Sequence, residues 1–233
     1  MHVVVAPHID DCVLSMGGRL LAWQARNLDA RVVYVFPLST WTNPDAPAAE
    51  AGSRHVPKIR RREAMTASEL LGFEARFLDF WDCADRGGRR DQIRKFLMTG
   101  KPVYMGHRML PAIRRRLSHH MKAATNIYFP IACGENPHPD HVILRDIGLE
   151  HRRAGLPVAF YEDLPYAAAG TPEHTVPDDV LSQLAPVDEV IDLDAKLELS
   201  QTFASQVSDA WLDSVRSHAL ALGGHEPVER VWA

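Results

Sequence analysis

Residues 3 to 18, Val-Val-Val-Ala-Pro-His-Ile-Asp-Asp-Cys-Val-Leu-Ser-Met-Gly-Gly, constrain the fold more than any other stretch of this chain. Val3 to Val5 is a β-branched apolar run that reads as a buried strand, and Pro7 stops it at a turn holding His8, Asp10 and Asp11. From Val13 the apolar spacing becomes helical. A strand that ends in a polar turn and feeds a helix is the unit of open α/β sheets, which place ligands outside the carboxyl ends of their strands. Here the turn carries one imidazole and two carboxylates. His8 with one aspartate can supply nitrogen and oxygen to a borderline-soft metal, leaving the other aspartate free as a base. The plainer alternative is an N-capping turn in which Asp10 or Asp11 satisfies helix amides.

The same strand, turn and helix order repeats. Arg31 to Phe36, Ala75 to Phe80, Ile127 to Ala132 and Val158 to Tyr161 read as strands. Between them, helical spacing covers Val13 to Trp23, Lys58 to Leu71 with Gly72 as its cap, Leu110 to Met121, and Val142 to Arg153. This alternation predicts an α/β, Rossmann-like fold: a mostly parallel sheet with helices on both faces, as a single domain over residues 1–233. Val187 to Ile191 reads as an edge strand, and Ala195 to Leu222 as one or two covering helices that serve either the core or a homo-oligomer interface. Gly17 and Gly18 allow close approach of the sheet or of a substrate. Leu38 to Val56 reads as a long loop in which Trp41 and Asn43 either line a pocket or anchor the chain. Gly87 to Tyr104 is basic and turn-rich and takes no assignment.

Composition narrows the partners. A hydrophobic content of 46% suffices for a full core, and a net charge of −4 spread over mixed signs speaks against nucleic acid and membrane surfaces. Cys12, Cys83 and Cys133 form no Cys-x-x-Cys pair, which fits a reducing, cytoplasmic setting. No secretory leader and no membrane-length apolar run is read. Arg60, Arg61 and Arg62 near a helix start oppose its dipole, which points either to a polar or anionic partner or to a solvated turn paired with Glu63. Twelve histidines raise the prior for a metal site only slightly, since His119 and His120 fall on a basic helix face.

His138-Pro-Asp-His141 is the second constellation. Pro139 favours the first helical turn, so His138 and His141 project to one side at the amino end of the helix after the fourth strand. A capping turn is again the plainer reading. Taken with the first turn, however, two histidines and one aspartate give three protein ligands and an open position, the arrangement of catalytic zinc. Iron(II) and cobalt suit the same donors. The turn from Trp81 through Asp82 to Arg86, also at a strand end, should face the first.

Ala-Pro-His-Ile-Asp-Asp and His-Pro-Asp-His, in this order, resemble the two signature motifs of the PIG-L/LmbE-like deacetylases, zinc-dependent enzymes that remove N-acetyl groups from aminosugar conjugates. Arg60-x-x-Glu63, Leu71-Gly72, Leu78 to Asp82 and Tyr161 to Tyr166 are similar to weaker family features. The resemblance implies that His8, Asp11 and His141 hold the metal and that Asp10 is the general base. It further implies that His138 stabilises the oxyanion and protonates the leaving amine, that Asp140 orients His138 and favours its protonated form, and that Arg60 and Asp82 bind substrate. Ile9 stands where proline is usual, and Cys12 follows the aspartate pair, either as a competing thiolate or as a buried neutral thiol. The expected partner is a small-molecule N-acylated aminosugar or glycoconjugate. Alternatives are hydrolysis of another amide or carbamoyl-type bond, or a non-catalytic glycan- or nucleotide-binding module.

Overall fold

Val3, Val4 and Val5 are fully buried in β1 (His2–Ala6), an interior strand of a seven-stranded sheet. The computed structural model describes residues 1–46, 54–86, 109–134, 137–169, 176 and 178–233, so the stretch from Gly87 to Tyr104 lies outside the described residues. The other strands are β2 (Ala30–Tyr34), β3 (Glu74–Phe77), β4 (Asn126–Pro130), β5 (Val158–Tyr161), β6 (Pro186–Val190) and β7 (Val228–Trp232). The helices are α1 (Asp11–Ala25), α2 (Val56–Leu71), α3 (Leu110–Met121), α4 (Pro139–Arg153), α5 (Asp178–Leu181), α6 (Leu193–Ser200) and α7 (Asp209–Gly223), with a 3-10 turn at Tyr166–Ala169.

The strand order is β3-β2-β1-β4-β5-β7-β6. Strands β1 to β5 are parallel, and β7 runs antiparallel to both β5 and β6. The chain steps outward from β1 to β2 and β3, then returns across β1 to β4. Right-handed crossovers therefore put α1 and α2 on one face and α4, packed on β4 and β5, on the other. The reversal between β1 and β4 leaves a crevice at their carboxyl ends. Both His/Asp turns open there.

The expected strands and helices are present, and α2 ends as expected on Gly72 in the left-handed conformation (φ 67°). The expected edge strand is β6, with Val187 and Val190 exposed. Three elements are additional: the 3-10 turn at Tyr166–Ala169, the short helix α5, and β7, which inserts between β5 and β6. The strand β7 matters most. It also explains the glycine pair. Met16 breaks the helical backbone inside α1 (φ −130°, ψ 17°), and the amides of Gly18 and Arg19 donate to Glu229 of β7 at 2.8 and 2.9 Å. That carboxylate caps the second half of α1 and is neutralised by the fully buried Lys196 of α6 at 2.8 Å. A Cβ at Gly18 would lie 2.4 Å from Ile191, so the close approach is to protein. Among the described residues, no helix is long and apolar enough to cross a membrane.

Candidate active site

The first turn alternates inward and outward. Ile9 is fully buried in the core, which leaves His8 and Asp10 on the crevice side. Asp11 opens α1, and its Oδ2 accepts the His8 backbone N–H at 2.7 Å. Asp10 occupies the N-cap position, yet its side chain makes no cap hydrogen bond and opens on the pocket instead. At the second turn the capping reading is realised: His138 Nδ1 accepts the Asp140 backbone N–H at 3.2 Å.

Folding brings the two turns together. Ligand atoms of His8, His138 and His141 lie within 4.8 Å of one another. Asp11 Oδ2 stands 3.2 Å from His8 Nδ1 and 3.4 Å from His141 Nε2. The opposite nitrogens each meet a buried carboxylate: His141 Nδ1 lies 2.6 Å from Asp163 Oδ1, and His8 Nε2 lies 3.3 Å from Asp140 Oδ2. His141 Nε2 is buried and, among the described residues, has no hydrogen-bond partner. A buried ring nitrogen that faces a carboxylate, on a ring pinned from behind by another carboxylate, is how metal-binding histidines are oriented. The donor set of two imidazoles and one carboxylate fits a divalent metal with an open position.

Charge follows the geometry. Burial opposes protonation of His8 and His141, but Asp11, followed by Asp140 for His8 and Asp163 for His141, raises them to about 9 and about 10. Burial likewise opposes ionisation of Asp11, and His141 and His8 outweigh it and hold that carboxyl well below its usual range. Asp10 moves the other way, raised by burial and then by the charge of Asp11, against the opposing pull of Arg60.

Two expectations change here. The Asp140 carboxylate does not rest on the His138 ring: it accepts from Cys83 N at 3.0 Å, pairs with Arg86 and backs His8. Asp140 meets His138 through its main chain. Asp140 does raise the His138 pKa, as expected, but burial first and then His8 outweigh it and push that pKa down to about 3. With Nδ1 accepting, the neutral ring carries its proton on Nε2, so His138 is a donor. Cys83 Sγ lies 3.5 Å from that nitrogen. Cys12 is a neutral thiol against the Tyr34 hydroxyl at 3.4 Å, pushed up to about 12 by burial.

The pocket over these residues has a volume of about 270 Å³. The arginine cluster splits: Arg60 is buried on the pocket, with Nη1 donating to the Trp41 carbonyl at 3.2 Å, whereas Arg61 lies over Phe77 and pairs with Asp79. Asp82 also lines the pocket, its Oδ1 accepting from Ala84 N at 2.7 Å. The third turn therefore faces the first.

The family model described as PIG-L, GlcNAc-PI de-N-acetylase, matches residues 3–151. The chain belongs to the PIG-L family. A deacetylase of the teicoplanin biosynthesis pathway is similar at a TM-score of 0.78 and 23% identity, covering 99% of this chain and 96% of the other. The N,N'-diacetylchitobiose deacetylase of Pyrococcus horikoshii is similar at 0.63 and 16%, covering 99% and 82%. The 4-carboxy-2-hydroxymuconate hydratase GalB of Pseudomonas putida KT2440 is similar at 0.60 and 18%, covering 98% and 95%. At these identities the likeness is one of fold. A comparison with curated proteins finds no match.

The PIG-L match includes both His/Asp turns and stops before β5, yet Pro165, Tyr166, Gln206 and Trp211 also line the pocket. Asp163 comes from this later part too. Its Oδ2 accepts the N–H groups of Ala132 and Cys133, at 2.5 and 3.2 Å, where Ala132 takes a left-handed backbone (φ 58°). Asp163 falls two residues beyond the strand expected at Val158 to Tyr161, a polar strand end like the other turns, whereas its pairing with His141 has no signal in the sequence.

Proposed function

We propose that this PIG-L protein is a metal-dependent N-deacylase that releases an acyl group, acetyl in the first instance, from a small-molecule aminosugar conjugate. The observation that carries this reading is the buried Nε2 of His141, which has no hydrogen-bond partner among the described residues and faces Asp11 beside His8 while Asp163 fixes the ring. His8, Asp11 and His141 would hold zinc, or iron(II) or cobalt(II), which supplies a Lewis acid and lowers the pKa of water to about 7.

The remaining groups act on protons and charge. Asp10, which makes no cap hydrogen bond and opens on the pocket, accepts the proton of the attacking water; burial and the charge of Asp11 strengthen it as a base, and Arg60 pulls the other way. His138 Nε2–H donates to the carbonyl oxygen as negative charge develops there. The proton that the departing amine takes up is the one Asp10 removed from the attacking water, while neutral His138 keeps its hydrogen bond to the oxyanion. Arg60 and Asp82 offer a donor and an acceptor to sugar hydroxyls. The wide spacing of Cys12, Cys83 and Cys133, without a Cys-x-x-Cys pair, is what supports a reducing, cytoplasmic setting.

The test is amine release from N-acetylglucosamine conjugates by wild type and by Asp10→Asn. Wild type releases amine and loses this activity on chelation. The variant keeps its metal and loses about 10²- to 10⁴-fold in rate, the usual contribution of a positioned general base. Near wild-type turnover by a metal-loaded Asp10→Asn enzyme would overturn the assignment. Ligand binding without turnover across the panel would leave a binding module.

A further inference from the structure

Gln206 lines the pocket yet is only 1% exposed, and it lies beyond the stretch matched by the PIG-L family model. Its Nε2 is held by three acceptors: the Ser205 carbonyl at 3.0 Å, Ser205 Oγ at 2.9 Å and the Trp41 carbonyl at 3.5 Å. Carbonyl oxygens accept and never donate, so only the nitrogen end of the carboxamide can face the two of them. The hydroxyl agrees. Ser205 Oγ gives its proton to Glu63 Oε2 at 2.6 Å, while Glu63 Oε1 takes the Ser205 amide at 2.8 Å, so what Oγ turns to Gln206 is a lone pair.

These contacts fix which end of the carboxamide is which, and they leave Oε1 on the other side. No donor to Oε1 stands among the described residues, so this oxygen is an acceptor held ready on the pocket wall. Beside it, Arg60 Nη1 donates to the same Trp41 carbonyl at 3.2 Å, so a guanidinium and a carboxamide converge on one oxygen. A hydroxyl group suits both neighbours at once, accepting from the guanidinium and donating to Oε1. A carboxylate or phosphate does not. It would pair with Arg60 but, having no proton to give, would set its own oxygens against Oε1.

We infer that Gln206 is a substrate-binding residue whose Oε1 accepts the proton of one sugar hydroxyl, so that the ring position facing Arg60 and Gln206 carries a neutral hydroxyl and not an anionic group. The inference rests on the N-deacylase reading only for the identity of the substrate as an aminosugar. Glu63 and Ser205 are positioning residues that act through the Gln206 carboxamide.

The experiment titrates the metal-loaded full chain carrying Asp10→Asn, by calorimetry, with the methyl glycoside of N-acetylglucosamine and with the analogues in which each ring hydroxyl in turn is replaced by fluorine. Fluorine keeps lone pairs and removes only the proton that Oε1 would accept. Amine release by wild type is measured on the same compounds. One analogue should bind about tenfold more weakly than the parent, and adding Gln206→Met should shrink that gap to about twofold or less, as expected for one hydrogen bond. The gaps of the other analogues should stay as they were. A Gln206 that only supports the fold would weaken every compound alike, so the ratio between compounds is the readout. Should Gln206→Met lose its cooperative unfolding transition, Gln206→Asn, which keeps the carboxamide but cannot reach the sugar from the same anchors, is read in its place. No analogue weaker than the parent, or a gap that survives the substitution, overturns the inference. Turnover with a gap independent of Gln206 leaves the deacylase and removes the hydroxyl contact. A Gln206-dependent gap in binding without turnover keeps the contact and removes the deacylase. If none of the sugars binds or reacts, both fall.

Discussion

At His141 both ring nitrogens face carboxylates, Nδ1 at 2.6 Å from Asp163 and Nε2 at 3.4 Å from Asp11, where it makes no hydrogen bond among the described residues. Asp163→Asn keeps the shape and removes the anion that makes the ring a strong donor. Metal affinity should fall about 10- to 100-fold, measured by competition with a chromophoric chelator. Asp140→Asn should do the same through His8. Protons supply an independent check. A histidine whose pKa is raised on folding contributes stability that is complete below its unfolded value and lost as pH climbs through the folded one. His8 at about 9 and His141 at about 10, against 6.5, place that loss between pH 6.5 and 10 for the chelator-treated protein. Its thermal midpoint should fall across that window. Metal binding needs the same nitrogens deprotonated, so metal affinity should rise there and the loaded protein's midpoint should stay nearly flat. A chelator-treated protein that gains stability from pH 7 to 9 would mean the rings are already neutral. The sequence showed which side chains gather at the two turns, because a proline and a strand end fix their direction locally. It did not show which carboxylate backs which ring, since Asp163 and His141 meet only after β5 lies beside β4.

Helix α1 is held from outside at the point where its own hydrogen bonding fails. The break at Met16 leaves the Gly18 and Arg19 amides to Glu229, and Glu229 in turn holds Lys196. Glu229→Ala strips both the cap and the counter-ion from a fully buried ammonium, and denaturant unfolding should show a loss of about 3 to 5 kcal/mol. Gly18→Ala meets Ile191 at 2.4 Å and should lose about 1 to 3 kcal/mol through overpacking. If Gly18→Ala unfolds at the wild-type denaturant midpoint, Ile191 yields to an added methyl and the close approach does not require glycine. The glycine pair was readable as a close contact, but its partner was not. Val-Glu-Arg-Val-Trp carries two charges in five residues, and Glu229 makes sense inside a strand only once Lys196 and the α1 break are in place. That element was therefore missed although the strands of the parallel half, each followed by its own helix, were legible.

The molecule completes its pocket by folding its two ends onto each other. Residues 8 to 11 supply one wall, and Gln206 and Trp211 supply another that no local pattern announces. β7 secures that second half. It pairs with β5 through Phe160↔Trp232 and with β6 along its length. Trp232 Nε1 also donates to Glu162 Oε1 at 2.9 Å, while His218 of α7 meets Glu162 Oε2 at 2.7 Å. Glu162 directly precedes Asp163, so the C-terminal strand reaches His141, a proposed metal ligand, through two carboxylates and the peptide bond between their residues. Deleting residues 228–233 uncovers the edge of β5, strands β6 and leaves Glu162 half-satisfied in the interior. The shortened chain should lose its cooperative thermal transition and its near-ultraviolet circular dichroism, while Trp232→Phe, which removes only the indole donor, should fold with weaker metal binding and a lower thermal midpoint. A shortened chain that unfolds cooperatively and binds metal as the full chain does would show that the parallel half stands alone, with β7 merely resting against it.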